Sequence, residues 1–314
     1  MTQSTSGASE DVTLGASPTE QSAVKRNRRL DGLFEHTTRG FALLVLLLLG
    51  TIMMSLVISG WPALSEFGWH FFTEDRWAAN LDRFGALPAI YGTLVTSGIA
   101  IAIAVPVSMG IAIFLTEKCP AALRRPLGTT VELLAGVPSI IYGMWGVEVL
   151  APFLQSHFPT IFPAGTGLAT AGLILAVMII PFITAITRDV MLTVPPMVRE
   201  SAYGLGCTTW EVTRSVIFPS VKGGLVGGVI LGLGRALGET MAVTFVIGNN
   251  LFFNPTVTGQ GTSIAALIAN QFPEADGLQR SALLALGLML FVITFIVLAI
   301  ARVMLNRMDR RAPK

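Results

Sequence analysis

Two charged residues sit where charge is expensive. Arg235 and Glu239 lie four residues apart in GGLVGGVILGLGRALGETMAVTFVIGN, residues 223–249, which is otherwise free of charge. A charge at the middle of a bilayer costs at least about 2.5–3.5 kcal/mol on insertion scales, so it is expected to face a partner or a wet cavity. At i, i+4 spacing the two side chains share one helical face. Two readings stay open. In one, the residues form a structural pair that locks this helix to its neighbours. In the other, Arg235 attracts an anion along a translocation path. Gly224, Gly228 and Gly232 make a smooth stripe for close helix packing, and Gly234 and Gly238 flank the charges.

Other chemistries lack their residues. The four lysines, Lys25, Lys118, Lys222 and Lys314, follow Val, Glu, Val and Pro, so no Gly-Lys pair of a P-loop exists. His36, His70 and His157 are too dispersed for an HExxH zinc site. No GxSxG elbow supports serine hydrolase chemistry. The expectation is a chain with no covalent chemistry, no metal and no cofactor of its own.

A second constellation lies in RESAYGLGCTTWEVTRSVIFPSVKGG, residues 199–224, a moderately charged amphipathic stretch between two apolar ones. Glu200, Ser201 and Ala202 open a short helix. Gly206 then supplies a turn or a close backbone approach. Thr208 or Thr209 can cap a second helix, and Pro219 is expected to stop it.

The elements that position these residues follow from composition. Of 314 residues, 52% are hydrophobic and 13% charged, with mean hydropathy +0.68. Soluble domains carry about 25% charged residues, so the chain is expected to be all-α and membrane-integral. The net charge of +2 gives no support for nucleic-acid binding. Residues 1–38 are polar and are expected to be a disordered tail; residues 39–314 form the membrane domain. Charge-free windows place six transmembrane helices at about 40–60, 87–116, 127–151, 168–192, 223–249 and 281–304, the second bent or tilted at Pro106. Of the 21 Lys and Arg, 17 fall on the side that holds both termini, three (Arg76, Arg83 and Arg280) on the other, and Arg235 between. The positive-inside rule then puts both termini in the cytoplasm. Cys119 and Cys207 fall on that side as free thiols. Glu132 and Glu148 are expected near the two ends of span 3, and Arg188 and Asp189 as a pair at the cytoplasmic edge. Trp61, Trp69 and Trp77, with Phe71 and Phe72, are expected in an interfacial aromatic belt.

The stretch from Glu200 to Pro219 resembles the coupling loop of ATP-binding-cassette importer permeases, whose pattern is EAA, three residues, G, nine residues, then I-x-L-P. Here ESA precedes Gly206 by three residues, and nine residues later come Val216, Ile217, Phe218 and Pro219. GLGRALGETMA (232–242), GVPSIIYGMWG (136–146) and the outer-loop run TSIAALIANQFPEA (262–275) resemble bacterial phosphate importer permeases, the PstC-type subunit in particular. The resemblance covers about residues 40–310. It implies the type I importer permease fold, with loop 199–222 docking through Glu200, Ser201, Ala202, Gly206 and Pro219 into a separate ATPase subunit. It also implies a second permease of PstA type, two copies of the ATP-binding subunit carrying ATP and Mg, and an extracytoplasmic phosphate-binding protein. Arg235 and Glu239 match the charged residues of the family motif, which implies phosphate as the cargo. Sulfate or molybdate is the alternative within the class. An ATP-independent secondary transporter would show inverted repeats and half-helices, neither of which the sequence displays.

Overall fold

The computed structural model describes the backbone of residues 18–310 and side chains from 33 to 303. The chain divides into two units, residues 1–55 and 56–314. Helix α1 (Pro18–Phe67) contributes to both. The tail expected over residues 1–38 therefore needs correcting. Residues 1–17 lie outside the described residues, but from Pro18 onward the backbone is helical. Proline suits a first helical turn, and Lys, Arg and Leu follow it as good helix formers. Glu35 and Arg39 add an i,i+4 ion pair at 2.5 Å. Within the first unit the leucine run 46–49 is exposed, as a helix solvated by lipid would be.

In the second unit, α2 (His70–Thr73) and a two-residue hairpin, β1 (Trp77–Ala78) with β2 (Arg83–Phe84), cap one end. Trp77, Phe71 and Phe84 are buried there, and the Trp77 Nε1–H donates to Gln271 Oε1 at 2.6 Å. Trp77 and Phe71 thus belong to a packed core rather than to an aromatic belt; Trp61 and Trp69 remain exposed. Helix α3 (Leu87–Ile113) continues through Pro106 without interruption and ends in a π-helical turn, Phe114–Lys118.

The third expected span is not one rod. Helix α4 (Ala121–Ala135) meets α5 (Ser139–Trp145) at 88°. Gly136 ends the first helix, and Pro138 pushes Val137 out of the helical region and cannot donate an N–H. A π turn, Gly146–Leu150, carries α5 into α6 (Ala151–His157). Among the described residues five helices are long and apolar enough to cross a membrane, and the bent pair makes six if it counts as one span.

Helix α7 (Leu168–Leu192) coincides with the expected fourth span and is the hub, packed against α3, α4 and the later α10. Ile174, Leu175, Ile179 and Ile183 are fully buried along it. After it come α8 (Pro196–Gly204), α9 (Thr209–Val212), a π turn (Thr213–Ile217) and α10 (Phe218–Leu237). The glycine stripe makes the α10–α7 contact. A Cβ at Gly228 would stand 3.0 Å from Ile186, and one at Gly232 2.6 Å from Ile183. Helix α11 (Met241–Val246) follows a break. Helix α12 (Ile264–Gln271) buries Ile264, Ala266 and Leu267 against α3 and the last helix, α13 (Gly277–Arg310). The run expected as an outer loop is therefore a packed helix, capped by the Ser263 hydroxyl accepting from Ala266 N–H at 3.2 Å.

Candidate functional site: a capped hairpin and a broken helix

Residues 196–217 form a tight helical hairpin. Glu200, Ser201 and Ala202 lie on α8, the first two exposed and Ala202 buried. The helix ends in a Schellman turn, with Gly206 N–H on the Tyr203 carbonyl at 2.9 Å and Cys207 N–H on Ala202 at 3.2 Å. Gly206 has φ +85, and nothing lies within 4 Å of where its Cβ would stand, so turn geometry rather than close approach explains this glycine. Thr208 then forms a capping box. Its hydroxyl accepts from Glu211 N–H at 3.3 Å, and the Glu211 carboxylate accepts from Thr208 N–H at 2.7 Å. Met197, Leu205 and Trp210 project from the hairpin, each more than half exposed.

Pro219 does not stop this helix. Helical backbone runs from Thr209 to Leu237. The π turn just before Pro219, where Phe218 N–H reaches back to the Thr213 carbonyl, gives the proline ring room and removes the demand for its N–H. At about 1.5 Å per residue this run is roughly 40 Å long. It joins the hairpin to Arg235, the first of the two charged residues of the expected fifth span.

Those residues sit at a fracture. Helix α10 ends at Leu237 with Gly238 as its cap, and α11 begins at Met241. The expected single span over 223–249 is thus broken, and Arg235 and Glu239 do not share a continuous helical face. The backbone departs from the helix at Gly238, and the Glu239 carboxylate turns to accept from Ala242 N–H at 3.3 Å. Arg235 is exposed and makes no ion pair among the described residues. Its guanidinium lies 5.7 Å from the centroid of the Phe182 ring of α7, a cation–π contact. The Tyr142 hydroxyl donates to the Leu134 carbonyl at 2.9 Å and so braces the 88° bend. The broken α10–α11 segment and the bent α4–α5 pair meet here, with Gly143 close against Ala242. The arrangement offers an uncommitted cation on an aromatic ring at a helix fracture, suited to holding an anion without reacting with it.

The family model for the "binding-protein-dependent transport system inner membrane component" matches residues 108–310. The chain belongs to this family. It is 56% identical over 306 residues to the phosphate transport system permease protein PstC of Mesorhizobium japonicum, covering 92% of this chain and 94% of that one. To the PstC of Haemophilus influenzae it is 51% identical, covering 91% and 96%. Among solved structures, a bacterial ABC transporter that imports alginate matches with a TM-score of 0.56 at 19% identity, covering 88% of this chain and 98% of that one. The inward-facing MetNI methionine ABC transporter matches with a TM-score of 0.51 at 19% identity, covering 73% and 95%. This inner membrane component is therefore multi-pass and has the type I importer permease fold.

Three residues of this inner membrane component escape the sequence pattern. Phe182 reads as one more apolar residue of a span, and Tyr142 as part of a motif without a role. Glu117 carries the strongest signal that the sequence offered, a carboxylate at the very end of an apolar run. Its side chain is 4% exposed and takes Arg199 Nη1 at 2.7 Å; Arg199 Nη2 also donates to the Met191 carbonyl. This ion pair pins the hairpin to the ends of α3 and α7. Arg188 and Asp189 do pair, at 2.7 Å, and Arg188 also binds Glu132 at 2.5 Å. Glu148 remains exposed on the π turn after α5.

Proposed function

We propose that this chain is the membrane permease of an ATP-driven importer for inorganic phosphate, and that it performs transport without covalent chemistry. The observation that carries the phosphate assignment is end-to-end similarity to permeases of phosphate transport systems. The geometry agrees with it. Arg235 lies about 18 Å along α10 from Gly223, halfway through a hydrocarbon core of about 30 Å, and no carboxylate neutralises it among the described residues. Glu239 stands beside the same fracture. Hydrogen phosphate keeps a proton that it can donate to a carboxylate; sulfate has none to offer and would be repelled. That contrast favours phosphate over other oxyanions at this point of the path.

The motor in this reading is a separate ATPase, which binds ATP and Mg. Glu200, Ser201, Ala202, Gly206 and Pro219 belong to the segment that meets it, and exposed Met197, Leu205 and Trp210 fit an apolar cleft on such a partner. A second permease of similar fold, two ATPase copies and an extracytoplasmic phosphate-binding protein complete the transporter. Both termini lie in the cytoplasm, on the side of the hairpin, as the distribution of Lys and Arg argues. ATP binding would move the hairpin between two positions, and the continuous Thr209–Leu237 helix would carry that movement to Arg235.

Phosphate uptake into proteoliposomes holding the assembled transporter tests the path. Arg235→Gln removes a charged contact of about 1.5–3 kcal/mol, so uptake falls at least about tenfold. Unchanged uptake at normal assembly refutes the role of Arg235. For the coupling segment, Glu200→Arg or Gly206→Trp weakens co-purification with the ATPase; retention of both at wild-type level refutes the docking role.

A further inference from the structure

A second basic site lies at the C-terminal end of α7. A cavity of about 370 Å³ opens between α4, the π turn after α3 and the last turns of α7. Arg124, Arg125 and Arg188 line it, with Glu132, Thr116 and Thr129. Arg188 is held in place. Its side chain is 15% exposed and engages Glu132 at 2.5 Å and Asp189 at 2.7 Å. It also lies against Gly128, where a Cβ would come within 2.6 Å of Nη1, so the glycine makes room for the guanidinium. The other two arginines are uncommitted. Arg124 reaches only the Cys119 carbonyl, at 3.5 Å, and Arg125 makes no hydrogen bond or ion pair among the described residues. Three guanidinium groups thus face two carboxylates, both engaged by Arg188. One positive charge is left over, on the fork geometry that suits phosphate oxygens.

The surroundings bear on where such an anion would come from. Leu123, Leu127, Leu133 and Leu134 of α4 are exposed, between 38% and 70%, on the same helix that presents the two free arginines. At helical spacing Leu123, Leu127 and Leu134 lie on the face of α4 turned away from Arg125, Gly128 and Glu132, so one face of this helix suits lipid and the other carries the basic cavity. We propose that this cavity binds a phosphate-bearing anion, through Arg124 and Arg125 with Arg188 as the fixed floor. An anionic phospholipid headgroup and free inorganic phosphate share that chemistry. The site is separate from the fracture at Arg235 and does not depend on the transport reading.

The test uses the purified full-length chain in phosphatidylcholine nanodiscs, in an Arg235→Gln background so that the fracture does not contribute. One arm titrates fluorescent phosphatidylglycerol; the other measures equilibrium binding of radiolabelled inorganic phosphate. Each arginine near a charged lipid surface contributes about 1 kcal/mol, so Arg124→Ala and Arg125→Ala each weaken binding about fivefold, and Arg125→Lys restores most of it. Both side chains are exposed and lack ion-pair partners among the described residues, so the melting midpoint stays at the wild-type value. Dependence on the arginines in the lipid arm alone assigns a headgroup site; dependence in the phosphate arm assigns a free-anion site. If neither arm responds to the double substitution, or Arg125→Lys binds no better than Arg125→Ala, the proposal is overturned.

Discussion

The Glu117–Arg199 pair is where the structure makes its sharpest energetic claim. Their side chains are 4% and 15% exposed, and the contact is 2.7 Å. The Tyr203 hydroxyl adds a longer contact of 3.5 Å to the second carboxylate oxygen, and Arg199 Nε has no hydrogen-bond partner among the described residues. A pair this enclosed does not behave like a surface salt bridge, for which about 0–1 kcal/mol is the usual value. Removing one partner leaves a buried charge without compensation and costs about 3–5 kcal/mol. Arg199→Met strands the Glu117 carboxylate and loses the bond to the Met191 carbonyl, so the upper half of that range is expected. Glu117→Gln leaves Arg199 its bond to Met191 and an amide oxygen to face, so its cost should fall in the lower half.

The double variant separates this account from simple loss of packing. With both charges gone, nothing buried is left unpaired, and replacing a buried pair by uncharged groups is often close to neutral. The cost of the double variant should therefore fall below the sum of the single variants by at least about 2 kcal/mol. The assay is equilibrium unfolding in mixed micelles of increasing denaturing-detergent fraction, with association to the ATPase subunit measured in parallel. The reasoning is refuted if Arg199→Met costs less than about 1 kcal/mol, or if the two costs simply add. A stability loss without any loss of ATPase association would keep the ion pair but remove its part in positioning the hairpin.

Gly206→Ala forces an L-residue into φ +85 with no steric contact to confuse the result, so limited proteolysis at the hairpin should report a loss of about 1–2 kcal/mol, with Gly206→Asn milder. Gly232→Val drives a branched side chain into Ile183, which is fully buried, and should destabilise the α7–α10 contact by about 1–3 kcal/mol in the same micelle titration; a neutral result would mean that the helices do not meet there. Glu239→Gln removes the acceptor that distinguishes a protonated oxyanion, so competition by sulfate in phosphate uptake should rise while the protein remains assembled. No change in either anion would remove Glu239 from the selectivity argument.

Much of this arrangement is legible in the sequence because membrane helices announce themselves by length and by missing charge. The fourth span is read to the residue, since Leu168–Leu192 has no internal break and is bounded by glycine at one end and by Thr-Val-Pro at the other. The glycine stripe of α10 is read correctly for the same reason: spacing of four is a local property. Fractures are harder. Gly136-Val137-Pro138 and Leu237-Gly238-Glu239 break their helices, whereas Pro106, Pro181 and Pro219 lie within continuous ones. Proline alone does not separate the two groups, since the second fracture contains none and a π turn accommodates Pro219. Burial of Trp77 and Phe71 is equally invisible, because an aromatic residue at a membrane edge has the same local signature whether lipid or a helix such as α12 covers it.

The fracture also changes what Arg235 can do. On an unbroken helix its guanidinium would stand beside satisfied amides, with Glu239 one turn away as a counter-ion. In the structure it occupies the last turn of α10, where the free carbonyls carry a partial negative charge, and the carboxylate is drawn off to the start of α11. The helix end lowers the cost of holding a cation at this depth and, by the same field, weakens its hold on an anion. On the proposed reading of Arg235 as part of a transport path, that compromise is what the path needs. A guanidinium in full possession of an anion would trap it, and one paired to a carboxylate would not attract it. Phe182 completes the balance by giving the cation a face to rest on without competing for the site with a full negative charge.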